Sequence, residues 1–392
     1  MGLSDNDRRA FDAFISSIRT GSSERDKARE APREFVEHMR ELRLGAVRLS
    51  KEEGGGGFSL RELLLLVIDI AAADPNVAHI LRNHFSFVEL VKRATNSVIR
   101  QKWLPEIQNG KIFGLATAEL GTKRAENSGL STRIERVNGK YRINGRKFYS
   151  TGALYSDFLR VSGVLDDGGQ VTVVVPTRRE GVTLIDDWDG IGQRLSGSGS
   201  TRFEDVEVDE SDFLTRRAED GNSSKYRGAL PQLTLNAVVA GIIQEVEREG
   251  VELVRRRHRT WVQASSQTPA KDPQVLAALG EISSYAFAAR AVIADAASAL
   301  DDVYESVVDG APDFETDLRG GLAVSRSKVV LDEWGPRTAN ALFDLAGASA
   351  VTRNANLDRH WRNIRTIISH NPAMYRARGI GDYIVNGAYP DV

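Results

Sequence analysis

The apolar residues of this chain change period twice, and that order constrains the fold more than any single motif does. From residue 3 to about 109 they recur at helical three- and four-residue steps, as in Phe11, Phe14, Ile15 and Ile18, then Phe35, Met39 and Leu42. From 111 to about 214 the segments shorten and fill with β-branched and aromatic residues, at 132–137, 140–143, 148–151, 159–164, 171–176 and 202–208. Asn138-Gly139, Asn144-Gly145 and Asp167-Gly168-Gly169 punctuate them as turns. After Ala229 long helical stretches return at 233–256, 273–299 and 317–343, with a last one near 371–385. The expected architecture is α+β. An N-terminal helical domain (1–110) precedes a central antiparallel β-barrel or sandwich (111–214) and a C-terminal four-helix bundle (229–392). Residues 215–228, polar and charged, read as the linker before the bundle.

Local signals sharpen the first zone. Four successive glycines cannot sustain a helix, so KEEGGGG at 51–57 reads as a turn. Ser59 and Glu62 have the spacing of a capping box, and the helix behind them is apolar almost all round, so it belongs inside. Among the 392 residues there is no cysteine, which excludes disulfides, thiolate metal sites, iron–sulfur clusters and a cysteine nucleophile. The 52 basic and 54 acidic side chains nearly cancel, so nothing pulls the whole chain toward nucleic acid or an anionic membrane. The longest unbroken apolar run, 63–68, is far short of the roughly 20 residues that span a bilayer. The N-terminus lacks a signal-peptide pattern, so a cytoplasmic protein without membrane attachment is expected. No metal-ligand, P-loop or G-x-S-x-G pattern occurs.

Chemistry must then come from oxygen and nitrogen side chains or from a borrowed cofactor. The best-marked stretch carries ATAELG at 116–121 and NGRKFYSTG at 144–152, and GQRLSGSGSTRFEDVEV follows at 192–208. In that combination the sequence resembles the acyl-CoA dehydrogenase superfamily, whose A-x-T-E and N-G-x-K-x-W-I-T-x-G segments wrap a flavin ring. KFYSTGA (147–153), LDRHWRNIR (357–365) and SHNP (369–372) are similar to its flavin-dependent monooxygenases of the dibenzothiophene monooxygenase type. The resemblance implies a two-component enzyme supplied with reduced FMN, or FAD, by a separate NAD(P)H:flavin reductase. O2 would react to a flavin C4a-hydroperoxide and oxygenate a small organic substrate at an aromatic carbon or a sulfur or nitrogen atom. A homotetramer is the implied assembly.

The same resemblance nominates site residues. His370 matches the histidine of an H-(D/N)-P segment, and His84 in LRNHF (81–85) stands for one that the N-terminal helices place above the flavin. Both would manage protons. Tyr149 and Thr151 match a tryptophan and a threonine that stack on and hydrogen-bond the ring. Strand alternation puts these two on one face and Phe148 and Ser150 on the other, so Thr151 rather than Ser150 is the expected partner of flavin N5. Leu115, Ala116 and Thr117 stand at a flavin-contacting segment and would act through backbone groups, since Ala118 replaces the usual hydroxyl. Arg259, in RRRHR (255–259) before Trp261, matches an arginine that reaches a neighbouring subunit's flavin phosphate. Ile367 stands where relatives often carry a second histidine, and His360 reads as an interface or supporting residue.

Two other readings stay open at this level. An FAD-dependent acyl-CoA dehydrogenase needs a carboxylate base; residues 365–375 hold no Asp or Glu, but Glu245, Glu247 and Glu249 lie on an earlier helix. A non-catalytic member that binds nucleic acid would rest on the arginines of 255–259 alone.

Overall fold

The computed structural model describes residues 5–94, 97–120, 129–216, 228–308 and 311–389. Helices come first: α1 (Asp5–Arg19), α2 (Ser22–Ala28), α3 (Arg33–Glu41), α4 (Leu60–Ala73), α5 (Pro75–Ile80), α6 (Arg82–Arg93) and α7 (Ser97–Gln108). The α4 N-terminus forms as the sequence expects. Ser59 Oγ accepts from Glu62 N at 3.1 Å, and Glu62 Oε2 accepts from Ser59 N at 2.8 Å. Asp301, far along the chain, accepts from Leu60 N and Arg61 N, so the cap also ties this helix to the C-terminal helices. Behind it Leu63, Leu64, Val67 and Ile68 are buried.

Strands follow: β1 (Phe113–Ala116), β2 (Arg133–Val137), β3 (Lys140–Lys147), β4 (Phe158–Val164), β5 (Gln170–Pro176), β6 (Val182–Ile185), β7 (Ser200–Val208) and β8 (Phe213–Arg216). They form one sheet in the order β6-β7-β3-β2-β4-β5-β8, with β1 added on β4. The expectation of a purely antiparallel unit is corrected here. β1 runs parallel to β4, and Arg133 of β2 meets Val164 of β4 in parallel. The loop between β3 and β4 turns the chain so that β4 re-enters beside β2 in the same direction. A second correction concerns 148–151, expected as a strand: β3 ends at Lys147, and Tyr149 lies at φ 56, in the left-handed region. The expected linker is strand at its start, through β8, and 217–227 lie outside the described residues.

The C-terminal helices are α8 (Ala229–Arg256), α9 (Pro273–Glu305), α10 (Phe314–Asp344), α11 (Asp358–Ile368) and α12 (Ala373–Asn386). The helix expected near 371–385 is α12, but it buries no residue and lies against α10. It is α4 that packs on α8 and α9 and joins them in one apolar core, because its all-round apolar surface must be covered. Two helices, α8 and α9, are long and apolar enough by composition to cross a membrane. The apolar stretch of α8 is 89% buried inside the protein, and that of α9 only 22%.

Candidate functional site

The site is built on a loop that three parts of the chain hold in place. Asp74 caps α5 by accepting from Asn76 N at 3.0 Å and is itself paired with Arg25. Asn76 Oδ1 then accepts from Leu195 N at 3.1 Å, and Asn363 Oδ1 of α11 accepts from Gln193 N at 2.6 Å. From the sheet side, Gly152 N donates to Ser196 O and Ser150 N to Gly199 O. Gly152 has φ 81, and a Cβ there would stand 2.7 Å from Ile80 O, so only glycine lets the sheet approach α5 this closely.

Thr151, 8% exposed, is the first functional side chain on this frame. Its Oγ1 is 2.9 Å from Ser198 Oγ, which is 2.7 Å from Ser196 Oγ, which donates to Gln193 O. A carbonyl can only accept, so the direction of the whole row follows: Ser198 donates to Ser196, and Thr151 donates to Ser198. The hydroxyl of Thr151 therefore presents lone pairs and can accept an N–H. Beside it Tyr149 is 58% exposed, with its ring against the edge of Trp188.

The first turn of α6 joins Thr151 to His370. Asn83 Nδ2 donates to Thr151 O at 3.1 Å, and the neighbouring Arg82 places Nη1 3.5 Å from His370 Nε2. His370 Nδ1 lies 2.8 Å from Asn371 Oδ1, an acceptor, and Asn371 Nδ2 donates in turn to Gln232 Oε1 at 2.5 Å. So His370 carries its proton on Nδ1 and turns the lone pair of Nε2 toward the guanidinium. Its ring is open to solvent yet crowded by protein, as in a cleft. That partial burial, with Arg82 close by, pushes its pKa down to about 4.

His79 completes the cluster. Its Nδ1 donates to Gln193 Oε1 at 2.8 Å, and its Nε2 is buried without a partner. Burial first, then the charge of Arg82, push its pKa down to about 3, so it is neutral. No sequence pattern marks His79. The signal available was its place just ahead of Arg82-Asn83, which is visible only once α5 and α6 are set end to end. Arg82, Asn83, Ser196, Ser198 and Gln232 went unnoticed for the same reason.

The structure corrects His84. It is 0% exposed; its Nε2 lies 3.1 Å from Gly45 O, and its Nδ1 accepts from Phe113 N at 3.2 Å. Both nitrogens are spent on backbone, so His84 fastens β1 to the N-terminal helices and faces no cleft. The imidazole of this region with an unpaired nitrogen is His79, on the preceding helix α5. The argument from strand alternation also fails, since 148–151 is irregular. Ser150 nevertheless turns inward and is fully buried, so its side chain reaches no ligand.

Leu115 is half-buried on β1, whereas Ala116 is fully buried in the sheet core and can offer only backbone. β1 pairs with β4 along one edge; no strand among the described residues pairs with its other edge, where His84 takes Phe113 N. Thr117 O accepts from Lys147 Nζ, which also pairs with Glu119 at 2.6 Å. Burial pushes Glu119 up, but Lys147, Ser131 and Thr132 more than offset that and hold it down to about 2. The ATAE segment is thus locked to β3. Arg259 is exposed beyond the far end of α8, roughly 40 Å from Gln232 at the helical rise, and does not join His370 within one chain. Glu245 is bound to Arg248, and Glu249 to Arg359 and His360. A cavity of about 480 Å³ lies elsewhere, between α3 and the turn after β5, and no expected site residue lines it.

Comparisons with known proteins agree along the whole chain. Family models described as the acyl-CoA dehydrogenase N-terminal, middle and C-terminal domains match residues 8–111, 114–206 and 233–374. A dibenzothiophene monooxygenase from Mycolicibacterium goodii is 29% identical over 382 residues, covering 94% of this chain and 90% of that protein. A probable FMNH2-dependent monooxygenase, SfnC, from Pseudomonas putida is 28% identical over 371 residues, covering 94% and 91%. TdsC from Paenibacillus sp. A11-2, solved with FMN and indole, superposes with a TM-score of 0.90 at 25% identity over 99% of both chains. The methanesulfinate monooxygenase MsuC from Pseudomonas fluorescens gives 0.87 at 27% identity, covering 99% and 98%.

Proposed function

Because the chain belongs to the acyl-CoA dehydrogenase superfamily, we propose that it is a reduced-FMN-dependent monooxygenase acting on a small organic substrate. The observation that carries this reading is the cluster that Arg82-Asn83 draws together from Thr151, His79 and His370. It offers one hydroxyl acceptor, two neutral imidazoles with lone pairs at Nε2, and a guanidinium. No carboxylate pairs with any of these groups among the described residues. A dehydrogenase base is what the site lacks, and Glu245 and Glu249 are both committed to arginines on α8 and α11.

The donor set suits a reduced flavin. Reduced flavin carries an N–H at N5, and the row of hydroxyls leaves Thr151 able to accept it. Tyr149 would cover the ring, and the edge of β1 away from β4, around Leu115 and Thr117, would supply backbone groups. When bound, the flavin supplies the oxygen-activating chemistry. The chain's own part is to exclude water and to hold or pass a proton at His79 Nε2 and His370 Nε2. FMN over FAD follows the relatives' names; a separate NAD(P)H:flavin reductase, the O2 co-substrate and action in the cytoplasm complete the reading.

Assembly as a homotetramer fits the same reading. The apolar stretch of α9 is largely uncovered in one chain, with Phe287 79% exposed, and Arg259 could meet flavin phosphate only from another subunit. The arginines of 255–259 serve the nucleic-acid alternative poorly: Arg256 pairs with Glu252, and Arg257 binds Leu345 O and stacks on Trp261.

Rapid mixing of anaerobically reduced FMN with oxygen tests the proposal. With the protein present, flavin reoxidation should slow and hydrogen peroxide release should fall relative to free flavin. Unaltered reoxidation, together with reduction of a dye by an acyl-CoA, would overturn it.

A further inference from the structure

The monooxygenase reading leaves the substrate open, and Arg82 bears on it. Partly buried arginines elsewhere in this protein are matched by acids: Arg25 by Asp74, Arg48 by Glu89, Arg359 by Glu249 and Arg362 by Asp26. Arg82 has none among the described residues. Its Nε donates to Pro231 O at 3.1 Å, its Nη1 approaches His370 Nε2, and Nη2 has no partner among the described residues. Burial alone pushes its pKa down to about 10, so it remains charged. Arg160 is in the same electrostatic state, but it lies within β4 in register with Leu115 and Val174. Of the two, Arg82 is the one beside the imidazoles.

Among the described residues no carboxylate pairs with it. The neutral rings of His370 and His79 both feel its charge, and the other cation that His370 feels, Lys328, is paired with Asp332. A partly buried cation without a counter-ion has lost hydration that nothing replaces until an anion arrives. A guanidinium offers such an anion two parallel N–H groups, a geometry that matches the two oxygens of an oxo-acid.

We propose that the organic substrate of this site carries an oxo-anion, of which a carboxylate is the simplest, that pairs with Arg82. The inference rests on the monooxygenase reading for the reaction but on Arg82 alone for the substrate's charge. The other anion that could use this guanidinium is the cofactor, and the test separates the two.

Calorimetric titration of the apo protein, and of the protein saturated with oxidised FMN, compares benzoate with benzamide and butyrate with butyramide. The carboxylates should bind at least about ten-fold more tightly than their neutral amides, as a charge-assisted pair at a partly buried site implies. Arg82→Gln should bring that ratio below about two-fold while FMN is still bound, its affinity reduced by less than the carboxylate preference. Should Arg82→Gln not fold, Arg82→Lys should keep the charge, lose the fork and lower the ratio by about three-fold. The proposal is overturned if the wild type shows no preference for carboxylates, or if the preference survives in the Arg82 variant. It is also overturned if Arg82→Gln weakens FMN binding about ten-fold with the carboxylate preference intact, which assigns the guanidinium to the cofactor. Failure of the monooxygenase reading looks different: the wild type would bind no FMN, oxidised or reduced, while the apo protein's choice between carboxylate and amide stays measurable.

Discussion

His79 at the end of α5 and His84 in the first turn of α6 are both buried, and they do opposite work. Every polar atom around His84 is used: Gly45 O and Phe113 N take its two nitrogens, and a Cβ on Gly45 would fall 2.4 Å from its Nε2. The seam it closes cannot admit a ligand. His79 spends one nitrogen on Gln193 and leaves the other buried and unmatched, next to an arginine without a counter-ion among the described residues. The difference separates structure from function here better than burial does. Buried polar groups normally find partners, so an unpaired one marks a place where the protein waits for something.

The strongest way to break this comparison is to remove each histidine in turn. His84→Leu should lower unfolding free energy by about 2–4 kcal/mol, since it strands a buried carbonyl and a buried N–H, and should leave activity per folded molecule near wild type. His79→Leu should do the reverse, costing oxygenation on the order of 10²–10³-fold with little change in stability. Urea unfolding and product formation per reduced FMN read the two effects. Loss of stability in His79→Leu with unchanged turnover would erase the distinction.

How much of this was legible beforehand depends on the range of the interaction. The cap at Ser59–Glu62, the glycine turn and the turns at Asn138-Gly139 and Asp167-Gly168-Gly169 depend on neighbours within a few residues, and they stand where the sequence puts them. Asn144-Gly145, expected as a turn, lies inside β3 at a bulge, because pairing with β7 carries the strand through it. The order of helix, strand and helix was legible for the same reason. Pairing across the sheet was not, because β1 finds β4 only after the chain has turned through the loop following β3. Thr151 and His370 were visible as motif matches, yet what unites them is Arg82-Asn83, which no local pattern marks. His84 was preferred to His79 because it sits in a more distinctive string. Which imidazole is open depends on Gly45 and Phe113, both distant in sequence.

Acid titration sharpens the comparison at smaller amplitude. His79 titrates near about 3, and His84 and His370 near about 4, all below the usual value of 6.5 because burial disfavours the charged ring. The unfolded chain therefore binds protons below about pH 6.5 that the folded chain refuses. Their contribution to stability is whole above that pH and is lost as pH falls toward 4. His370, open to solvent, should contribute least of the three. Urea midpoints between pH 7 and 4.5 should fall more gently in His84→Leu and in His79→Leu than in the wild type. Equal slopes in all three proteins would mean that neither ring resists protonation in the folded state.

The smallest expected effect tests the row of hydroxyls, which joins the closed and open kinds of environment. Ser196 is committed to Gln193 O, and that commitment passes through Ser198 to fix the proton of Thr151. The far end of the row is saturated and the near end is left as an acceptor. Oxidised flavin has no N–H at N5 and needs a donor there, while reduced flavin has one and needs an acceptor. In the wild type the row should therefore favour the reduced form. Ser198→Ala frees the Thr151 proton, letting the hydroxyl turn and donate. The ratio of affinities for reduced and oxidised FMN, measured anaerobically, should narrow by about five-fold, the worth of one hydrogen bond of ~1 kcal/mol. Thr151→Val should lower affinity for the reduced form and leave the oxidised form almost untouched. A Ser198→Ala ratio equal to wild type would show that Thr151 is not oriented by its neighbours.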